Sequence, residues 1–177
     1  MKTTTKIIRA TNILLFFILT LSTTLNANAS VISEFSTKFN ENNLPRVENL
    51  KLASIAIDNV ILKPGEVFSY NAHLGPTTKD RGFEKAKIIV NGEEKEGYGG
   101  GVCQISSTLY NAAKNAGLEI IERHPHSKKV SYIEKGKDAA TSYGVIDLKF
   151  KNTFYHPIRI DSYIDGNTVY VQILKTF

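Results

Sequence analysis

The N-terminal residues 1–29 restrict what the rest of this chain can be. They contain Lys2, Lys6 and Arg9 but no acidic residue, then an apolar stretch from Ile13 to Leu25, and they end in Ala27-Asn28-Ala29. A basic start, an apolar middle and an A-x-A end are typical of a secretory signal peptide. The apolar stretch is shorter than the roughly 20 residues that span a bilayer. We therefore expect cleavage after this segment, a secreted protein, and membrane contact only through the segment if it stays uncleaved.

The signal segment also carries much of the positive charge. The whole chain has 22 basic and 17 acidic side chains, and three of the basic ones lie within residues 1–29. The remainder is only mildly cationic, which argues against nucleic acid as a partner and is compatible with an anionic cell wall. Residues 30–177 are long enough for one domain with its own core. No repeat or linker divides them.

The hydrophobic pattern predicts an α+β domain with a mainly antiparallel sheet and two main helices. The first helix is predicted at Arg46–Asn59, where apolar side chains recur at helical spacing, and the second at Cys103–Asn115, before Gly117. A hairpin turn is predicted at Asn91-Gly92 and a long loop at 71–82. The predicted strands cover 67–70, 87–90, 118–122, 129–133, 145–150, 157–163 and 168–174.

Cys103 is the only cysteine, so it cannot form an internal disulfide, and an unpaired thiol in an exported chain requires an explanation. Three glycines, Gly99 to Gly101, precede it and allow a tight turn and the close approach of a substrate. At the start of a helix, the free N–H groups and the helix dipole favour a thiolate. The same N–H groups, around Gly100 and Gly101 and with the Gln104 amide, are candidates to hold an oxyanion.

A general base for this thiol is expected among the histidines. His126 is the first candidate and His124 the second, because both lie between two predicted strands, and catalytic Cys and His are often distant in sequence. A carboxylate could orient the ring, and both Asp147, on a predicted strand, and Asp138, in a predicted loop, are suitable. The predicted substrate-binding set also includes Tyr70, Asn71 and Ser107.

Other interpretations of these residues stay open. Cys103 could be a small buried hydrophobic residue. The His-Pro-His run at 124–126 could be a surface turn or, with Cys103, a fragment of a metal site. No carboxylate or second cysteine shows regular ligand spacing, so we predict neither a metal nor a cofactor. Tyr70 and Asn71 are equally compatible with core and turn positions.

Taken together, several segments resemble the VanW family in their order along the chain, from about residue 33 to 161. They are Phe35–Thr37, Pro64–Asn71, Gly99–Asn111, Glu122–Ser127, Lys137–Ala139 and Tyr143–Asn152. This resemblance identifies 30–177 as a VanW-like domain and implies an envelope protein of a Gram-positive bacterium, from a family named after a vancomycin-resistance cluster. The chain differs from the family at Tyr70, where Phe is usual, and at Ala140, where Thr is common.

The resemblance further implies an L,D-transpeptidase-like acyltransferase that acts on peptidoglycan stem peptides, with Cys103 as the nucleophile. Cys103 would attack the carbonyl after the third stem residue, release D-alanine, and pass the acyl group to the amine of a neighbouring stem, with His126 moving the proton. The alternative is a non-catalytic module that binds peptidoglycan stems or glycopeptides, with residues 99–104 as a backbone nest for a carboxylate. Hydrolysis of the same acyl-enzyme is a third outcome.

Overall fold

The computed structural model describes residues 30–176, so the predicted signal peptide at 1–29 lies outside the described residues. Within this range there are nine β-strands and three α-helices, and the strand pairings are antiparallel. The strands are β1 (Ser30–Lys38), β2 (Val60–Leu62), β3 (Val67–Ser69), β4 (Lys85–Val90), β5 (Glu93–Tyr98), β6 (Glu119–Glu122), β7 (Lys149–Lys151), β8 (Ile158–Asp165) and β9 (Thr168–Lys175). The helices are α1 (Leu44–Ile57), α2 (Tyr70–Leu74) and α3 (Val102–Asn115). None of these helices is both long and apolar enough to cross a bilayer.

The largest sheet has the strand order β1-β9-β8-β2, and the two long helices pack against it. Helix α1 lies against β8, and α3 lies against β1 and β9. The side chains between these layers are apolar and fully buried, among them Leu50, Ile57, Ile105, Leu109 and Ile173. Burying one such side chain contributes about 1.5–3 kcal/mol. This interface therefore holds α3, and with it Cys103, in a defined position.

A smaller sheet, β3-β7-β6, and a separate hairpin, β4-β5, complete the fold. Asn91 and Gly92 have φ angles of 51° and 80°, the left-handed pair that a tight hairpin turn requires, and the predicted turn is confirmed. The fully buried Asn49 of α1 donates to the carbonyl oxygens of Glu84 and Gly100, at 3.0 Å each. Its side chain thus ties the base of the hairpin to the turn before α3.

The predicted fold class, α+β with mainly antiparallel strands, is confirmed. The helix predicted at Arg46–Asn59 is observed at Leu44–Ile57, because Asn43 caps it by accepting a hydrogen bond from the Arg46 N–H at 3.3 Å. The helix predicted at Cys103–Asn115 is observed at Val102–Asn115. Cys103 is therefore the second residue of that helix.

The predicted number of helices is one too low. Helix α2 begins at Tyr70, where the sequence pattern predicts the end of a strand and the start of a loop. Ser69 caps this helix by accepting a hydrogen bond from the Ala72 N–H at 3.1 Å. A helix of one turn leaves too short a periodic pattern to be distinguished from a loop.

Two strand predictions are wrong in part. Residues 129–133 form no strand, and the strand predicted at 145–150 is confined to Lys149–Lys151. Residues 142–146 form a turn instead, in which the Ser142 N–H donates to the Ile146 carbonyl at 2.9 Å. Residues of both segments line the cavity described below.

Candidate active site

Cys103 lies half-buried at the start of α3, in the wall of a cavity of about 530 Å³. Its Sγ is 3.5 Å from the carbonyl oxygen of Thr141 and 3.7 Å from the Thr141 hydroxyl. The N–H of Cys103 is in the first turn, where a helix has no internal acceptor, and within residues 30–176 it donates to no backbone carbonyl. The thiol therefore opens into the cavity beside an N–H group that is free to bind an oxyanion.

His126 and Asp138 form the second half of the arrangement. His126 lines the same cavity as Cys103, and its Nδ1 lies 2.7 Å from Oδ2 of Asp138. The same Oδ2 accepts the backbone N–H of His126 at 2.6 Å, while Oδ1 accepts from Arg123 Nη2 at 2.9 Å. Both the imidazole and the carboxylate are buried, with 8% and 7% of each side chain exposed. The carboxylate therefore fixes the Nδ1–H tautomer of the ring and leaves Nε2 for the thiol.

The charges of Cys103 and His126 favour transfer of the thiol proton. Burial raises the pKa of the Cys103 thiol, but the hydrogen bond and charge of His126, together with Thr141, outweigh it and lower the pKa. Burial lowers the pKa of His126, but the interactions with Cys103 and Asp138 outweigh it and raise the pKa. The two pKa values thus move towards each other, which promotes a thiolate–imidazolium pair.

The alkylation rate of Cys103 by iodoacetamide should titrate with a pKa below that of a free thiol, about 8.5. His126→Ala should raise this pKa, because the cation that stabilises the thiolate is lost. His124→Ala is the matched control and should leave the pKa unchanged, since His124 contacts Glu122. The measurement is the alkylation rate against pH for the three proteins. A thiol that reacts only after unfolding, or equal effects of the two substitutions, would contradict the assignment.

His124 and Asp147, both predicted catalytic residues, lie elsewhere. The Nε2 of His124 is 3.1 Å from Oε1 of Glu122, and its ring is 40% exposed outside the cavity. Asp147 is buried, but its carboxylate accepts hydrogen bonds from Ser69 Oγ at 2.6 Å and the Asn71 N–H at 2.9 Å. It therefore holds the start of α2, and the structure places Asp138 beside His126 in its stead.

Gln104, predicted as an oxyanion donor, has no donor left for a substrate. It is buried, and its Nε2 donates to Thr37 Oγ1 and to the Lys38 carbonyl, both at 3.0 Å. Its backbone N–H donates to the Gly101 carbonyl at 2.8 Å. The remaining atom, Oε1, accepts from Arg46 Nη2 at 2.9 Å. Gln104 therefore positions Arg46 and does not contact the reacting atoms.

The glycines before α3 are closely packed against neighbouring parts of the protein. A Cβ on Gly100 would lie 2.6 Å from the Lys87 carbonyl oxygen and 2.7 Å from the Ala86 carbonyl carbon. A Cβ on Gly101, whose φ is 115°, would lie 3.0 Å from Cγ of Arg46. Gly101 also lines the cavity, while Gly100 does not. Gly100 therefore allows close packing of strand β4 against α3, while the role predicted for Gly101 in substrate approach stays a prediction.

Gly100→Ala should lower the free energy of unfolding by about 1–3 kcal/mol, because the new Cβ would overlap the backbone of β4. The hairpin would have to move away from α3, so the alkylation rate of Cys103 should change as well. Gly117→Ala, at a left-handed position with free space around it, is the control for strain alone. It should destabilise the protein without changing that rate. Urea unfolding and iodoacetamide kinetics test this, and a Gly100→Ala protein as stable as the native one would contradict the packing described.

Two other predicted substrate contacts, Tyr70 and Ser107, are also positioning residues outside the cavity lining. Tyr70 is fully buried, and its hydroxyl donates to the Val102 carbonyl at 2.8 Å. Ser107 is fully buried and donates to the Cys103 carbonyl at 2.7 Å. Asn71 lines the cavity, but its Nδ2 holds the carbonyl of Ile146 at 3.0 Å. These contacts fix the backbone on both sides of the thiol.

Four residues of the site were not among those predicted from the sequence: Arg46, Arg123, Tyr132 and Thr141. Arg46 lies on a half-buried helix turn, and Tyr132 lies in a segment predicted to be a strand. Thr141 directly follows Ala140, where the chain departs from the family pattern. This neighbouring difference is the one sequence signal that points to Thr141. Within residues 30–176 no group of three or more His, Cys, Asp or Glu side chains is arranged to hold a metal ion.

The comparisons with known proteins cover most of the chain. The family model described as VanW like protein matches residues 45–174. YoaR of Bacillus subtilis (strain 168) is 41% identical over 145 residues, which cover 82% of this chain and 48% of that protein. The vancomycin B-type resistance protein VanW of Enterococcus faecalis (strain ATCC 700802 / V583) is 37% identical over 112 residues, which cover 60% of this chain and 41% of that protein. The chain thus spans less than half the length of these relatives, and no solved structure matches it significantly.

Proposed function

The chain belongs to the VanW family, and we propose that it is an exported cysteine acyltransferase of the cell envelope that acts on peptidoglycan stem peptides as an L,D-transpeptidase does. The observation that carries this proposal is the Cys103–His126–Asp138 arrangement in the wall of a cavity. A thiol, a base and a group that orients the base are the components of nucleophilic acyl transfer. The apolar signal-like segment at 1–29 supports export.

The chemistry follows from the positions of these groups. His126 takes the proton of Cys103, and the thiolate attacks a peptide carbonyl carbon while the oxyanion meets the N–H of Cys103. The C–N bond breaks as the His126 imidazolium gives its proton to the leaving amine. An acceptor amine then attacks the thioester, His126 takes its proton, and the C–S bond breaks to restore the thiolate. Asp138 keeps its negative charge throughout and stabilises the imidazolium.

The lining of the cavity is compatible with a peptide. It includes Ile88 and Val90 of the β4-β5 hairpin, together with Thr141 and Tyr143 of the segment that follows Asp138. Tyr143 and Val145 line the cavity and have exposed side chains. A cavity with both apolar and polar lining residues can hold a peptide near the attacking thiol.

The direct test is incubation of the purified full chain with a disaccharide-tetrapeptide muropeptide. Three products are followed: an acyl adduct on the protein by intact mass, free D-alanine, and a cross-linked dimer between the third residues of two stems. Adduct, D-alanine and dimer together establish the transferase. D-Alanine with a free tripeptide and no dimer establishes hydrolysis of the same acyl-enzyme. Binding of the muropeptide without adduct or D-alanine would replace the proposal by the binding-module alternative.

A further inference from the structure

Arg46 carries a charge that no carboxylate neutralises in the part of the chain that the structure describes. It lines the cavity with Cys103, and the one hydrogen-bond acceptor of its guanidinium within residues 30–176 is the neutral amide oxygen of Gln104. None of the ion pairs within residues 30–176 involves Arg46. By contrast, Arg123 is paired with Asp138, and Arg159 with Asp161. A half-buried guanidinium is stable when an anion pairs with it.

Three residues fix the position of Arg46. Gln104 is locked by two hydrogen bonds from its Nε2, so its Oε1 faces Arg46. The ring of Tyr132 lies 5.8 Å from the guanidinium carbon and supports it from one side. A Cβ at Gly101 would lie 3.3 Å from Arg46 Nη1, so the absence of a side chain at this position leaves space for the guanidinium. The guanidinium is thus held against the turn that carries the thiol.

The position of Arg46 relative to the thiol decides which anion can bind. Both side chains line the same cavity, and Arg46 packs against Gly101, two residues before Cys103. An ionised Cys103 also opposes the lowering of the Arg46 pKa that burial causes. In a peptide attacked by Cys103, the carboxylate nearest to the attacked carbonyl carbon is three bonds away, at the end of a leaving amino acid. A longer peptide has an amide carbonyl at that point, which carries no charge.

We propose that Arg46 binds the terminal carboxylate of the leaving amino acid, so that the site selects acyl donors that end one residue after the attacked carbonyl. The inference rests on the proposed function and names the donor within it: a stem tetrapeptide is accepted and a pentapeptide is disfavoured. A guanidinium that lines the cavity and has N–H donors without an acceptor can hold a carboxylate by two parallel hydrogen bonds. Arg46 is in this sense a specificity residue of the site.

The test uses two alkylating reagents that differ only in the carboxylate: iodoacetyl-D-alanine and iodoacetyl-D-alaninamide. Both react with the same thiolate, so the ratio of their second-order rate constants is independent of the Cys103 pKa. Arg46→Gln should lower the acid-to-amide ratio by about tenfold, the effect of losing a hydrogen bond to a charged group. An unchanged ratio would overturn the inference.

The matched control is Lys87→Gln, which removes a positive charge from the exposed rim of the same cavity. Lys87 is paired with Glu94 at 3.0 Å, and its side chain is 76% exposed, so its loss should change the ratio by less than about twofold. Equal decreases in both variants would mean general electrostatic attraction and would overturn the inference. Arg46→Lys should give an intermediate ratio, because it keeps the charge and loses the planar fork.

A further measurement uses the native chain alone, so its result does not depend on whether the variants fold. Unreactive N-acetyl-D-alanine should slow the alkylation of Cys103 by iodoacetamide, and N-acetyl-D-alaninamide should not. Equal protection by both compounds would overturn the inference.

The proposed function and this inference can fail separately. If the muropeptide assay gives no acyl adduct while the ratio depends on Arg46, the transferase proposal fails and the carboxylate site stands. If the chain transfers a tetrapeptide and its C-terminal amide at equal rates, the transferase stands and the role of Arg46 is overturned.

Discussion

Replacing Cys103 with alanine is expected to lower the release of D-alanine from a stem tetrapeptide to the uncatalysed level, a loss of about 10⁴-fold or more. The reason is that the nearest hydroxyl groups on α3 cannot replace the thiol as the nucleophile. The hydroxyls of Ser106 and Ser107 are buried and donate to the Ala139 and Cys103 carbonyls. The measurement is the rate of D-alanine release, with intact mass to confirm that the acyl adduct disappears.

The same substitution should leave the fold intact. Cys103 is half-buried, and besides its interaction with His126 its thiol makes two long contacts to Thr141. Alanine at this position should therefore change the free energy of unfolding by less than about 1 kcal/mol, so a loss of activity would report chemistry and not unfolding. Urea unfolding of both proteins provides this check. Full activity in Cys103→Ala would exclude Cys103 as the nucleophile.

Asp138→Asn should have the second largest effect, a decrease of about 10³–10⁴-fold in turnover. The groups around this carboxylate are donors: the His126 N–H and Nδ1–H face Oδ2, while Arg123 Nη2 and the Gly136 N–H face Oδ1. An amide places its NH₂ group against one of these donor pairs. The His126 ring then loses its preferred tautomer, and its pKa falls because the carboxylate that raises it is gone.

Asp147→Asn is a matched control for this prediction. Asp138 and Asp147 are each 5% exposed, so the two substitutions remove buried carboxylates in similar surroundings. The new amide at position 147 can keep the acceptor role towards the Asn71 and Leu148 N–H groups and donate to the Ser69 oxygen. Asp147→Asn should therefore lower stability by about 1 kcal/mol and leave the Cys103 alkylation pKa unchanged. Equal losses of turnover in the two variants would contradict the assignment of Asp138.

Local patterns of the sequence were sufficient for the fold class and for the two long helices. Apolar side chains at helical spacing predict both long helices, and three glycines before Cys103 mark the start of α3, since each signal lies within or next to the element itself. The Asn91-Gly92 turn is equally local. Helix α2 was missed because a single turn carries no periodic signal. The sequence does not predict strand β1, because the burial of its side chains depends on their contacts with β9 and α3. Thr37 is the one buried residue of this strand.

The pairing of the site residues was decided by the tertiary structure. The sequence by itself singled out Cys103 at a helix start and offered two histidines and two aspartates. It could not choose between Asp138, in a predicted loop, and Asp147, on a predicted strand, because the choice depends on how residues 127–141 return to α3. The same return places Thr141 against the sulfur and Tyr132 under Arg46. Such contacts join residues far apart in the chain, and their geometry arises when the layers pack, because no local preference encodes it.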